Sequence, residues 1–255
     1  MGYTKAFGTV LSHEKIAPGI YDITVHTPQA RDAVQGQFMQ IYCDGKTLRR
    51  PISICEIDRE KETVRMVYMV KGEGTAWLSR VKVGDTLDLL GPLGHGFETK
   101  GYKQVIVIGG GIGVPPMLQT AKGCTGSVRA ILGFRNADAA ILQNDFEKAC
   151  DAVFITSDDG SLGRHGFVTD VLKEELEKGG CDLVAACGPT PMLKAVAMLC
   201  EKMGLDCQVS LEERMGCGIG ACVGCVCKVK QGEDGYRHAQ VCRYGPVIDA
   251  KEVVW

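Results

Sequence analysis

Cys217, Cys222 and Cys225, followed seventeen residues later by Cys242, carry the most specific chemistry in this 255-residue chain. Four thiols in a C-x4-C-x2-C array with a distant fourth member match the spacing that holds a [2Fe–2S] cluster. Glycines at 216, 218, 220 and 224 fill the same loop. A loop that wraps two irons must turn backbone N–H groups toward sulfur, and bulky side chains obstruct that. Tetrahedral zinc is the alternative for four thiolates, but structural zinc usually takes two compact cysteine pairs, whereas here three cysteines share one loop. Cys227, two residues past a candidate ligand, is a spare thiol. Cysteines in apolar segments, such as Cys43, Cys55, Cys150, Cys187 and Cys200, suit small buried hydrophobes in a reducing compartment.

Two further groups of residues suit nucleotides. In Arg50-Pro51-Ile52-Ser53 an arginine can fork onto a pyrophosphate, and a serine three residues later can reach a flavin ring. Alone, R-x-x-S is nearly always an ordinary turn. It gains weight from Gly72-Glu73-Gly74-Thr75, which precedes a helix whose first N–H groups can hold the same pyrophosphate. Val105–Ile108 followed by Gly109, Gly110, Gly111 and Gly113 is a buried strand and a glycine turn, with Pro115 opening a helix. This is not the G-x-G-x-x-G fingerprint, because Val114 takes the third glycine's place. The glycines still permit close backbone approach to a dinucleotide at the carboxyl end of the strand. Cys187-Gly188-Pro189-Thr190-Pro191 is a second element of the same kind.

The elements that must position these residues follow from hydrophobic pattern. Short β-rich runs at Phe7–Lys15, Ile20–His26, Gln37–Cys43, Ser53–Asp58, Thr63–Val70 and Thr86–Leu90 predict a six-stranded antiparallel barrel, with one helix starting near Thr75. After Gly101, strand-like runs (Val105–Ile108, Val128–Phe134, Ala152–Thr156, Leu183–Cys187, Cys207–Leu211) alternate with helical ones (Pro115–Lys122, Ala139–Cys150, Phe167–Glu177, Pro191–Met203). That alternation predicts an α/β domain with a parallel sheet. Beyond Arg214 no long periodic segment remains. The expected division is therefore 1–99, 100–213 and a small cluster-binding module at 214–255.

Composition closes off other classes. The net charge is −2 and aromatics are 6%, so neither a basic field nor stacking platforms exist for nucleic acid or an anionic membrane. No apolar run opens the chain, and the most apolar one, Val105–Met117, is too short and glycine-rich to span a bilayer. A cytoplasmic protein is expected.

A barrel with R-P-x-S and G-x-G-T, then G-G-G-x-G-x-x-P and C-G-P, resembles the ferredoxin–NADP reductase superfamily. Leu211-Glu212-Glu213-Arg214-Met215-Gly216 leading into Cys217 is similar, within it, to the electron-transfer subunits of the NAD-dependent (B-type) dihydroorotate dehydrogenases. The resemblance extends over essentially the whole chain and is most specific over residues 211–225. It implies FAD held by Arg50, Pro51, Ile52, Ser53, Val67, Tyr68, Met69, Gly74 and Thr75, and a nicotinamide nucleotide on the α/β domain. It also implies a [2Fe–2S] cluster on Cys217, Cys222, Cys225 and Cys242, and a separate FMN-containing catalytic subunit in a two-plus-two heterotetramer. Two positions depart from the superfamily: Ile52 replaces the tyrosine common before the flavin serine, and Met69 stands where arginine is common.

The resemblance implies a mechanism in which flavin mediates between a two-electron donor, NADH, and a one-electron acceptor, the cluster. Ser53 is the candidate for a hydrogen bond at flavin N5. Cys187 and Glu212 are candidates to touch the nicotinamide, with a buried core role open for Cys187. Asp158 and Asp159 end the strand that in the reductases carries residues clamping a 2′-phosphate. Carboxylates there accept from ribose hydroxyls and repel that phosphate, which predicts NAD; a solvated turn is the alternative. Two other functions share parts of this pattern: a reductase subunit for ferredoxin or another low-potential acceptor, and a non-enzymatic redox sensor. Cysteine at 217, where related ferredoxin-linked subunits can carry aspartate, favours the dihydroorotate-linked reading, and the glycine turn counts against the sensor.

Overall fold

A computed structural model describes residues 3–232 and 235–255. β1 (Thr4–Ala17), β2 (Ile20–His26), β3 (Phe38–Ile41), β4 (Arg50–Asp58), β5 (Thr63–Met69) and β6 (Thr86–Leu93) close into a barrel in the order β1-β2-β5-β4-β3-β6. The period of two directs Ile23, Val25, Met39, Ile41, Ile54, Met66, Leu87 and Leu89 into its interior. The expected six-stranded antiparallel barrel is thus present. The helix expected near Thr75 is α1 (Glu73–Leu78), a piece of six residues.

The second unit holds β7 (Gln104–Gly110), α2 (Val114–Lys122), β8 (Ser127–Phe134), α3 (Gln143–Ala149), β9 (Ala152–Ser157), β10 (Arg164–His165), α4 (Val168–Glu177), β11 (Leu183–Cys187), α5 (Thr190–Met203) and β12 (Asp206–Ser210). The sheet runs β10-β9-β8-β7-β11-β12 and is parallel throughout these strands. Chain order reverses direction between β7 and β11, which makes their carboxyl ends the switch point where such sheets open a crevice. α3 starts four residues later than its apolar pattern predicts. Asn136 Oδ1 caps a 3-10 turn by accepting from the Ala139 amide, and Leu142, in the left-handed region at φ 61°, separates that turn from the helix.

The C-terminal segment is more regular than its pattern predicts. β13 (Val226–Gln231) and β14 (Gly235–Gln240) form an antiparallel hairpin, followed by α6 (Val241–Tyr244) and β15 (Val247–Asp249). β15 pairs antiparallel with β12, Gln208 opposite Asp249, and becomes the seventh strand of the nucleotide-domain sheet. Val229, Ala239, Ile248 and Val253 accordingly pack into the same core as Ile106, Val184 and Leu193.

The barrel is joined to both neighbours by shared cores. Ile20, Cys55 and Val67 pack with Val105, Met117 and Phe146 of the α/β unit. Beside them the Arg65 guanidinium meets Asp22, Glu56 and, on α3, Asp145, at 2.7, 3.2 and 3.3 Å. On the other side Phe38 and Leu93 pack against Cys225, Val241 and Cys242. All four residues of β3 are buried, since the barrel interior covers one face and the cysteine segment the other.

Candidate functional site

A cavity of about 420 Å³ opens where the barrel meets the switch point. Its size is that of an ordinary small-molecule site. The barrel contributes Pro51, Ile52, Ser53, Val67, Tyr68, Met69 and Thr75; the turns after β7 and β11 contribute Gly110, Gly111, Gly113 and Cys187; and Glu212 follows β12. The three residues expected nearest the chemistry, Ser53, Cys187 and Glu212, therefore share one cavity. Gly109, Asp158 and Asp159 do not line it, and neither do Arg50 and Gly74, which meet beside it.

Alternation along β4 and β5 sorts the barrel residues. Ile52 and Tyr68 pack in the barrel interior, whereas Val67 and Met69 turn toward the α/β unit. Ile52 is thus a core residue rather than a platform for a ring. The Tyr68 hydroxyl lies 2.8 Å from His13 Nε2, and His13 Nδ1 lies 2.7 Å from the Val81 carbonyl. The Arg50 guanidinium donates to the Leu48 and Arg49 carbonyls, at 2.5 and 3.2 Å, and pairs with no carboxylate among the described residues. It packs directly on Gly74, where any Cβ would overlap its Nε and Cζ. Thr75 Oγ1 accepts from the Lys71 and Gly72 amides and donates to the Gly72 carbonyl, so its hydroxyl shapes the loop that enters α1.

The glycines of the β7 turn divide by role. A Cβ on Gly110 would meet Met192 Sδ at 2.5 Å, and one on Gly113 would meet the Cys187 carbonyl oxygen at 2.5 Å. One on Gly109 would meet Val114 Cα at 2.6 Å. Gly110 and Gly113 let the two switch-point turns close on each other, while Gly109 lets its own turn fold back tightly onto Val114. Gly111 differs: its φ is +54° and open space lies before it. Burial pushes the Cys187 thiol up to about 12, against the opposing hydrogen bond from Ser210. It stays protonated throughout the neutral range. Lys71 Nζ and Glu212 Oε1 stand 3.9 Å apart at the cavity mouth, both largely exposed.

Asp158 and Asp159 follow β9, two strands from β7 in the sheet, roughly 10 Å by strand spacing. The Asp159 carboxylate accepts from the Ser161 amide and hydroxyl, at 2.9 and 2.6 Å, which holds its pKa below the usual carboxylate range. It braces the turn, while the Asp158 carboxylate makes no hydrogen bond among the described residues.

The cysteine segment forms two pairs. Cys217 neighbours Cys222, and Cys225 neighbours Cys242. Cys217 Sγ accepts from the Ile219, Ala221 and Cys222 amides at 3.3 to 3.4 Å. Desolvation opposes its ionisation, but these donors prevail and lower it to about 7. The Cys242 amide likewise points at Cys225 Sγ, at 3.4 Å. Among the described residues no three His, Cys, Asp or Glu side chains converge on a single metal position. Two thiol pairs with amides aimed at sulfur fit a binuclear cluster better than one tetrahedral ion. Cys225 and Cys242 are buried against the barrel, while Cys222 is exposed. Cys227 donates to the Ala239 carbonyl at 3.6 Å, on the hairpin.

Phe38, Lys71, Ser210, Leu211 and Met215 also line the cavity, and sequence reasoning missed them. Phe38 alone had a local signal, an aromatic alternating with Met39 and Ile41 on the strand beside Arg50–Ser53.

The family model for the iron–sulfur cluster binding domain of dihydroorotate dehydrogenase B matches residues 212–254. A relative from Caldanaerobacter subterraneus subsp. tengcongensis, a "Dihydroorotate dehydrogenase B (NAD(+)), electron transfer subunit", is 44% identical over 96% of this chain and 97% of its own. One of the same name from a Geobacillus species is 40% identical over 96% and 97%. Among solved structures, that of an NADH-dependent reduced ferredoxin–NADP oxidoreductase superposes with a TM-score of 0.88 at 32% identity, over 98% of this chain and 90% of that one. An Amycolatopsis cytochrome P450 reductase, at TM-score 0.66 and 22% identity over 79% and 66%, shares the fold.

Proposed function

The chain belongs to the family of electron transfer subunits of NAD-dependent dihydroorotate dehydrogenase B, and from that premise we propose how its residues divide the work. It is an oxidoreductase subunit that passes electrons between a catalytic partner, which oxidises dihydroorotate on the route to pyrimidines, and NAD. When bound, FAD supplies two-electron exchange with a nicotinamide and one-electron exchange with a [2Fe–2S] cluster. Arg50, unpaired with any acid among the described residues and seated on Gly74, is the residue to hold the pyrophosphate of the flavin. Ser53, on the cavity wall, is placed to hydrogen-bond the flavin ring. Cys187 offers a neutral thiol to the nicotinamide side, and Gly111 leaves room for a nucleotide backbone. Cys217, Cys222, Cys225 and Cys242 hold the two irons.

One observation carries this reading: Phe38 lines the cavity and also packs against Cys225 and Cys242. Phe38 thereby links the flavin site to the buried thiol pair, while the exposed Cys222 of the other pair faces outward toward a partner. In this reading that partner is an FMN-containing subunit, in a two-plus-two assembly. Among the described residues no helix is long and apolar enough to cross a membrane; a cysteine-rich chain with free thiols suits the cytoplasm.

Oxidising dihydroorotate removes hydrogen from adjacent carbons and needs a positioned base. The cavity holds no such group beyond Lys71, Glu212 and Glu213 at its mouth, among the described residues. The purified chain is therefore expected to oxidise NADH with artificial dyes yet form no orotate. Orotate formation by the chain alone, at a rate comparable to dye reduction, would overturn the division of labour.

NAD preference is the second expectation. A carboxylate near a dianionic 2′-phosphate costs on the order of 1–2 kcal/mol in near-aqueous surroundings, about tenfold in affinity. NADH should thus exceed NADPH in kcat/KM by about tenfold or more, and Asp158→Asn should narrow the gap. Equal kcat/KM for the two nucleotides in the unsubstituted chain would refute it.

A further inference from the structure

Gln40 is wholly buried, and neither its Nε2 nor its Oε1 has a hydrogen-bond partner among the described residues. Folded proteins rarely bury an amide without partners, because the group has given up water for nothing. Its position shows what lies nearest. On β3, Met39 and Ile41 enter the barrel, so Gln40 leaves it on the same face as Phe38, beneath the cysteine segment. A Cβ on Gly218 would fall 2.6 Å from Gln40 Nε2, 2.9 Å from its Cγ and 3.1 Å from its Cδ. The amide therefore lies against the backbone of the residue that follows Cys217. Four of the loop's N–H groups are already aimed at sulfur, those of Ile219, Ala221 and Cys222 at Cys217 Sγ and that of Cys217 at Cys222 Sγ. Across the strand pair Gln40 is opposite Pro51, one residue from Arg50 and two from Ser53.

We propose that Gln40 is a positioning residue for the iron–sulfur centre, holding the Cys217–Cys222 loop on the barrel and donating its side-chain N–H to a sulfur of the cluster. The proposal rests on the reading that the four cysteines hold a [2Fe–2S] cluster. Hydrogen bonds to cluster sulfurs favour the reduced, more negative state and so raise the reduction potential. The same strand thereby touches both redox sites, with Gln40 under the cysteine loop and its cross-strand neighbours Arg50–Ser53 beside the flavin cavity.

The test uses the full chain, purified with its cofactors, as wild type, Gln40→Met and Gln40→Glu. Iron, sulfide and FAD are assayed, and the cluster is titrated electrochemically with EPR detection. Both variants should keep iron and FAD. The methionine variant should show a lower midpoint, by about tenfold in the one-electron equilibrium, or 59 mV. The glutamate variant should shift further, because its charge opposes reduction. In wild type labelled with 15N at glutamine side-chain amides, pulsed EPR of the reduced centre should show a nitrogen coupling that Gln40→Met lacks. If the methionine variant does not fold, the glutamate titration and the wild-type coupling decide. Iron retained with an unshifted midpoint in the variants, or no amide coupling in wild type, would overturn the role of Gln40. A wild-type chain with flavin but no iron would instead overturn the cluster reading itself.

Discussion

Cys225→Ser and Cys242→Ser are each expected to lose the iron centre, while Cys227→Ser is expected to keep about two irons and two sulfides per chain. Cys225 and Cys242 form the buried thiol pair, the Cys242 amide pointing at Cys225 Sγ from 3.4 Å. Both sit in the small core that Phe38 and Leu93 complete, so a serine there replaces a soft thiolate ligand with a poorer hydroxyl one. Cys227 is two residues from Cys225 but belongs to the hairpin, opposite Ala239, whose carbonyl it bonds. With the partner present, the ligand variants should lose dihydroorotate-linked NAD reduction to background, and NADH–dye turnover should persist. Iron analysis checks the assignment. Iron lost in Cys227→Ser but retained in Cys242→Ser would reverse it.

Arg50→Ala is expected to weaken FAD binding by about ten- to a hundredfold, the equivalent of one charge-assisted hydrogen bond of 1.5–3 kcal/mol. Gly74→Ala should approach the same loss without touching the arginine. Its Cβ would occupy the space of Arg50 Nε and Cζ, and the flexible guanidinium would swing away while the barrel stayed intact. Because both changes act through one side chain, the double variant should be little worse than Arg50→Ala. Fluorescence titration of the apoprotein with FAD measures all three. Unchanged FAD affinity in Arg50→Ala would remove the arginine from the site, and additive losses in the double variant would separate the two residues.

What the chain disclosed before its fold was known follows the range of the interactions involved. Period-two alternation in Ile20–His26 and Thr63–Met69 is local, and both strands lie where it predicts. The cysteine spacing is also local, as the amides aimed at Cys217 Sγ show. Long-range packing stayed hidden. Gly110 and Gly113 read as openings for a ligand, yet they are small because the β11 turn presses on them. Thr75 read as a ligand contact, but its hydroxyl is bonded within its own loop. β15 is three residues long and becomes a strand only through β12, so no pattern of its own announces it. Phe38 and Gln40 look like the solvent side of a strand until the cysteine segment, far along the chain, covers them.

The most direct measurement is an anaerobic titration of the purified chain with NADH, following visible absorbance and EPR together. Flavin bands and the broad iron–sulfur absorbance should both bleach, and a reduced-cluster signal should grow in, because Phe38 lines the cavity and shares one small core with Cys225 and Cys242. A flavin that NADH bleaches beside a cluster that stays oxidised until dithionite is added would contradict electron transfer through this chain.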